Sequence, residues 1–430
     1  MRKQTKLVAV LSAAALLAMG ASMTSFAAGW QKDDAGVWHY YDSDDNQVTD
    51  EWKKDGGKWF YLNEDGDMET DAWVDDDYYV GEDGAMLVNQ WVKVADDDDS
   101  SDPDDDGENW YYFNNKGKKV TDDKKKINGK TYYFNTDGEM RYGWFEDNGD
   151  WYYLGTEDEG WRTDAQWLWL EEPNEDDEDN DSMPSHDDDC SLCDSEGWYY
   201  FQNDGKAYRD NSKKKKINGK YYVFDDKGLM LDHWVEFTKG STATSSDAAP
   251  ASIYKYYKTS DGDRQDGWVY LDDMNADDDG KETEEGWYYF KKGIPYTSEY
   301  KTTEIADGYG VARINGKIYC FNEDGKMVTG KVEASDGTYF YFDEDENNGS
   351  MKYGKVKIKD AEDLDGGTYY FNKNGSLGTK GASYTGVYKG YLYNNGEIVE
   401  AEDGMKYEKV TVDGKDYMVN ESGKVVTSGT

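Results

Sequence analysis

Short aromatic runs, each bracketed by turn residues, recur along this chain at a spacing of roughly twenty residues, the kind of period that builds solenoids and arrays. The stretch Ile127 to Trp144, INGKTYYFNTDGEMRYGW, states the pattern most fully. Asn128-Gly129 is a two-residue hairpin signal, because both central positions of a type I′ turn take positive φ. Tyr132-Tyr133-Phe134 follows, three aromatics that suit a pleated, half-buried strand. Asn135 to Gly138 predicts a second turn, with Gly138 free to take the left-handed conformation. Met140 and Trp144 close the unit. A lone two-stranded hairpin is marginal in water, so this unit needs a stacked neighbour. The chain supplies many. Trp30, Trp52, Trp73 and Trp91 stand 22, 21 and 18 residues apart, and the intervals enclose strands such as WFYL at Trp59 to Leu62 and YYV at Tyr78 to Val80. Gly66-Asp67-Met68 and Gly84-Ala85-Met86 repeat the glycine turn and its methionine. About 14 or 15 such units are countable. The expected fold is all-β: a β-hairpin solenoid of tandem ~20-residue aromatic repeats in which each hairpin buries its aromatic face only against adjacent hairpins.

The rhythm is interrupted in places. Acidic inserts fall at 96–109 and 171–196, after which WYYF resumes at Trp110 to Phe113 and at Trp198 to Phe201. Residues 240–252, rich in Ser, Thr and Ala, read as a linker or long loop. Beyond them the repeats become tyrosine-rich, and tryptophan is absent after Trp287. The organisation expected is therefore a signal peptide over 1–27, tryptophan-rich repeats over 28–239, the linker, and tyrosine-rich repeats over 253–430. The signal is read from Arg2, Lys3 and Lys6, the apolar run Leu7 to Met19, and the small residues Ser25 and Ala27 before the cleavage point. No later stretch is apolar enough for a transmembrane helix.

Composition narrows the chemistry. A net charge of −44 argues against a nucleic-acid partner, which requires a basic surface, and favours attraction of cations. Hydrophobic content of 37% cannot fill one large aliphatic core, but 38 Tyr and 16 Trp can fill many small aromatic ones. That aromatic content also sets the chain apart from acidic disordered proteins. His186, Cys190 and Cys193 form a single zinc-type half-site, for which a local disulfide or free thiols are the preferred reading in an exported chain. Cys320 stands where sister repeats carry Tyr and reads as a core substitution. The Asp clusters at 96–99, 104–106 and 277–279 do not match an EF-hand and read as solvated loops. Lys124–Lys126 and Lys213–Lys216 blunt exposed strand edges. No nucleophile–base pair and no phosphate loop is recognisable, so no enzyme activity, metal or cofactor is expected.

The recurring pattern GWxxxxGxWYYFxxxGxMxxGW resembles the choline-binding, or cell-wall-binding, repeats of Gram-positive bacteria, and is similar to glucan-binding repeats and the C-terminal repeats of clostridial toxins. The resemblance extends from Gly29 to about Val426. It implies ligand sites in aromatic grooves between consecutive hairpins. A quaternary ammonium has no proton to donate, so ring faces must hold it through cation–π attraction. Carried over residue by residue, the implied walls are Trp30 with Trp38, Trp52 with Trp59, Trp73, and Trp144 with Trp151. Tyr61 and Tyr79 are the implied third walls and Met68, Met86 and Met140 the floors. Asp77 and Thr131 occupy the first-aromatic position in their units, so those grooves lack a wall. The function implied is a secreted, non-catalytic protein held non-covalently at the cell surface by choline-decorated teichoic acid or another cell-wall polysaccharide. A glucan- or host-glycan-binding adhesin, and a structural stalk whose aromatics only pack, are the competing readings.

Overall fold

A computed structural model of the chain describes residues 29–95, 108–173, 196–210, 213–238, 252–273, 281–361 and 363–426. The signal segment, His186, Cys190, Cys193, Asp96–Asp99, Asp104–Asp106 and Asp277–Asp279 lie outside the described residues. The described residues form antiparallel hairpins and no helix. The fold is the expected all-β array of aromatic hairpins. Asn128 and Gly129 take φ of 48° and 87°, and Asn218-Gly219 and Asn315-Gly316 repeat the arrangement, as a type I′ turn requires.

The hairpins fall into two compact units, one running to Phe145 with Tyr153–Arg162, the other comprising Glu146–Tyr152 and the chain from Thr163. One local rule holds within each. The second strand carries a quartet such as Trp110-Tyr111-Tyr112-Phe113, and a first-strand tryptophan lies opposite its third member: Trp52 opposite Tyr61, Trp91 opposite Tyr112, Trp167 opposite Tyr200, Trp268 opposite Tyr289. Alternation then sends the first and third members to one face and the second and fourth to the other. The second and fourth are the most deeply buried, as with Tyr111 and Phe113, Tyr199 and Phe201, and Tyr288 and Phe290. Cys320 is the third member of such a quartet and is completely buried, so it does serve as core.

Neighbouring hairpins are joined by the residue two places after the turn glycine. Met68 donates its N–H to the carbonyl of Trp38 at 2.8 Å, Met86 to Trp59 at 2.8 Å, and Met140 to Trp110 at 2.8 Å. In the other unit Met351 donates to Ile318 at 2.7 Å and Ser383 to Tyr339 at 2.8 Å. The acceptor is always the first member of the preceding quartet. Each methionine therefore closes its own unit and ties it to the one before.

The turn itself is held by a side chain. Asn63 accepts N–H bonds from Asp65 and Asp67 at 3.1 and 2.9 Å, and Asn135 accepts them from Asp137 and Glu139 at 3.1 and 2.8 Å. Asp225 stands at the equivalent place and accepts from Lys227, Gly228 and Leu229. Burial outweighs those bonds and pushes its carboxyl up to about 6. The fold thus favours the protonated acid, a contribution fully present below pH ~4 and lost as pH rises through about 6. Asp225→Asn keeps the acceptor without the charge. It should raise stability at pH 7 by on the order of 1–2 kcal/mol and flatten the dependence between pH 4 and 6, measured by urea denaturation at both ends of that range.

Candidate functional site

The groove between two hairpins has three aromatic walls. The first-strand tryptophan and the first member of the quartet belong to one hairpin, and the second member of the next quartet faces them. At Trp91 all three are present. Trp91 lies 6.4 Å from Trp110 and 4.8 Å from Tyr132, with ring planes at 84° and 58°. Tyr112 and Phe134 complete the surround at 5.0 and 5.7 Å, the latter stacked at 25°. Met140 packs into the same cluster.

This constellation recurs. Trp167 lies 5.1 Å from Tyr200, 4.9 Å from Tyr222 and 5.6 Å from Phe224 at 21°, with Trp198 as the first quartet member and Met230 packed alongside. Trp268 lies 5.1 Å from Tyr289, 4.8 Å from Tyr319 and 5.9 Å from Phe321 at 24°, with Trp287 and Met327 in the corresponding places. The ring separations of the three grooves agree within 0.3 Å. Burial pushes the phenols of Tyr132, Tyr222 and Tyr319 above their ordinary range, so all three are neutral walls.

What stands over the rings separates these grooves from the rest. Among the described residues no ammonium or guanidinium lies over the tryptophans or the facing tyrosine of these three. Lys93 is the cross-strand neighbour of Trp110 but pairs with Glu157 at 2.7 Å. The corresponding neighbours of Trp198 and Trp287 are themselves aromatic, Trp169 and Tyr270. A cleft of about 410 Å³ adjoins Trp287 and Met327, and Glu284 and Glu346 add carboxylates to its lining.

The residues singled out in the sequence sit elsewhere in this scheme. Trp30 and Trp38 share a face, and Phe60 is the facing wall at 5.4 Å. Trp52 and Trp59 likewise share a face, with Tyr78 at 5.6 Å. Tyr61 and Tyr79 are therefore not walls from the following hairpin. They are the cross-strand partners of Trp52 and Trp73 within one hairpin, displaced by one residue from the facing position and so turned to the opposite face. Their hydroxyls donate to Asp50 and Asp71 respectively, and the first bond pushes Tyr61 up to about 12. Lys32 and Lys54 place their ammonium groups 5.5 Å above Trp38 and Trp59. Trp144 and Trp151 are both buried and lie on opposite sides of the division into units; Arg209 covers Trp151 with its guanidinium carbon 4.1 Å from the ring centre. Met68, Met86 and Met140 bond through their backbone N–H groups to the carbonyls of Trp38, Trp59 and Trp110.

Known proteins can now be set beside this geometry. Models described as choline-binding repeats match residues 120–164, 309–355, 46–85 and 68–97. A model for a cell wall binding repeat matches 28–44, 105–119, 192–207 and 362–377. The matched segments are choline-binding, or cell-wall-binding, repeats. Glucosyltransferase-S of Streptococcus mutans is 29% identical over 213 residues, which cover 48% of this chain and 12% of that protein. Among solved structures, the modular autolysin LytC from Streptococcus pneumoniae is similar at 22% identity and a TM-score of 0.39, over 70% of this chain and 52% of LytC. Choline binding protein F from Streptococcus pneumoniae is similar at 20% identity and a TM-score of 0.28, over 94% of this chain and all of that one. The chain thus spans a small part of its curated relative and about half of LytC.

Proposed function

We propose that the three grooves at Trp91, Trp167 and Trp268 bind a quaternary ammonium of choline type, and that the chain is a secreted, non-catalytic protein retained at the bacterial envelope. The observation that carries this reading is the recurrence of one ring geometry, three times, with no internal cation over it. Three aromatic faces suit a trimethylammonium group, which ring faces hold without any donated proton. The chain's strongly acidic character favours the same sign of ligand. Choline-decorated teichoic acid, or another cell-wall polysaccharide bearing such groups, would engage several weak sites in series and be held by avidity.

Equilibrium dialysis against choline should show three sites per chain, accompanied by a change in tryptophan fluorescence. Sedimentation with purified cell walls should be reversed by free choline. A chain that binds neither choline resin nor walls would overturn the proposal.

A second reading, binding of glucans or host glycans, is favoured by the C-terminal repeats. There Lys331 and Lys355 stand opposite the third quartet member, where other hairpins carry tryptophan, and their ammonium groups lie 5.0 Å over Tyr339 and 4.5 Å over Tyr391. Those rings are already covered by a cation. Tyr353 and Tyr407 are exposed in the same repeats, with Lys380 3.9 Å and Lys406 5.5 Å from their ring centres, and would stack on sugars once those side chains swing aside. Binding on a glycan array that choline does not compete would establish that activity.

A further inference from the structure

The groove at Trp73 has the ring spacing of the open grooves but a different floor. Trp73 lies 4.8 Å from Tyr111, the separation found between Trp91 and Tyr132. The residue two places after the turn glycine is Lys119, where the open grooves carry methionine. Its N–H donates to the carbonyl of Asp77 at 2.7 Å, the bond that Met140 makes to Trp110. Its aliphatic stem lies against Gly138, as Met140 lies against Gly160. The two side chains therefore occupy one structural position and differ at the tip. The ammonium of Lys119 reaches under both rings, 5.0 Å from the centre of Trp73 and 5.7 Å from that of Tyr111. Asp77 replaces the first ring of the quartet, and its carboxylate is engaged by Lys118 at 2.8 Å.

We infer that Lys119 is an internal occupant of the Trp73 groove, holding the cation position and thereby withdrawing this groove from ligand. The inference rests on the choline-type reading above and adds to it a rule for which grooves are open. An ammonium over two ring faces already satisfies the attraction a choline group would seek, and its tether makes it the stronger competitor at any accessible ligand concentration. The same device recurs where the guanidinium of Arg209 covers Trp151 and where Lys281 lies 5.1 Å over Trp234. Whether a tethered cation lies over the rings would then set the number of sites together with the aromatic walls.

The test is a reciprocal exchange in the full chain, read by equilibrium dialysis with choline. Lys119→Met combined with Asp77→Trp, which restores the missing first wall, should raise the stoichiometry from three to four, whereas Asp77→Trp alone should leave it at three. Met140→Lys should lower it from three to two by placing an ammonium in the Trp91 groove. Circular dichroism and the thermal midpoint establish that each variant is folded, and if one is not, the other decides. A folded Asp77→Trp/Lys119→Met chain that still binds three overturns the internal-occupant inference, as does a folded Met140→Lys chain that still binds three. An unsubstituted chain that binds no choline overturns the reading of the sites themselves, and is recognised before any substitution is made.

Discussion

Replacing Trp91 with alanine is expected to abolish one of three choline sites and to cost about 3–5 kcal/mol of stability in the same stroke. Trp91 meets Tyr112 of its own hairpin and Tyr132 and Phe134 of the next, and stacks on the last. In an array of hairpins the interface between neighbours is where stability resides, and this ring fills it. Trp110→Ala should behave differently. Trp110 is half-buried, its carbonyl rather than its ring holds Met140, and its one ring neighbour is Trp91 at 6.4 Å. Losing it should remove the same site while costing roughly 1–2 kcal/mol, the scale of a partly exposed aromatic contact. Dialysis stoichiometry and urea midpoints measured on both variants separate the two roles. If Trp110→Ala still binds three choline equivalents, the groove at Trp91 is core packing and not a site.

The hairpin array was legible because its signals are local. Asn128-Gly129 dictates a turn of one hand, and three adjacent aromatics next to it can only be a strand that buries one face. Each repeat restates the same instruction, so an error in one unit is corrected by the others. Ser252–Tyr257 pairs with His233–Thr238 in one such hairpin.

The site was less legible, because it depends on which of two adjacent residues faces a neighbour and on what lies over a ring. Tyr61 and Tyr78 are both aromatic in their quartets, but only the second member points back at the preceding tryptophan. Nothing in the identity of a residue conveys that; register does. A usable signal was nevertheless present. Trp110, Trp198 and Trp287 recur 88 and 89 residues apart, and each WYYF run is followed by an Ile-Asn-Gly-Lys hairpin, at Ile127, Ile217 and Ile314. The three matching grooves lie at these junctions. The shorter period of single hairpins masks this longer one, in which a tryptophan pair always meets the same kind of partner. The lysines over Trp38 and Trp59 are equally hidden in the sequence, since Lys32 and Lys54 become their neighbours only by pairing across the hairpin.

Gly84→Ala is expected to cost about 2–4 kcal/mol, against about 1 kcal/mol for Gly129→Ala, although both glycines have strongly positive φ. The difference lies in what surrounds them. A Cβ on Gly129 would meet nothing within 4 Å, so only the backbone conformation resists it. A Cβ on Gly84 would come within 2.6 Å of the Met68 methyl and 3.1 Å of the Glu69 carbonyl oxygen. The methyl belongs to a flexible side chain and can move, whereas the carbonyl is backbone and cannot move without disturbing the link between hairpins. Met68→Ala in the Gly84→Ala background should therefore recover part of the loss, by a coupling of roughly 1 kcal/mol in a double-mutant cycle. Equal costs at Gly84 and Gly129 would show that the turn conformation alone selects glycine. A larger cost at Gly84, partly relieved by trimming Met68, would show that the stack selects it: each methionine is seated in the notch left by the next repeat's missing side chain, and the periodic glycine is as much a packing residue as a turn former.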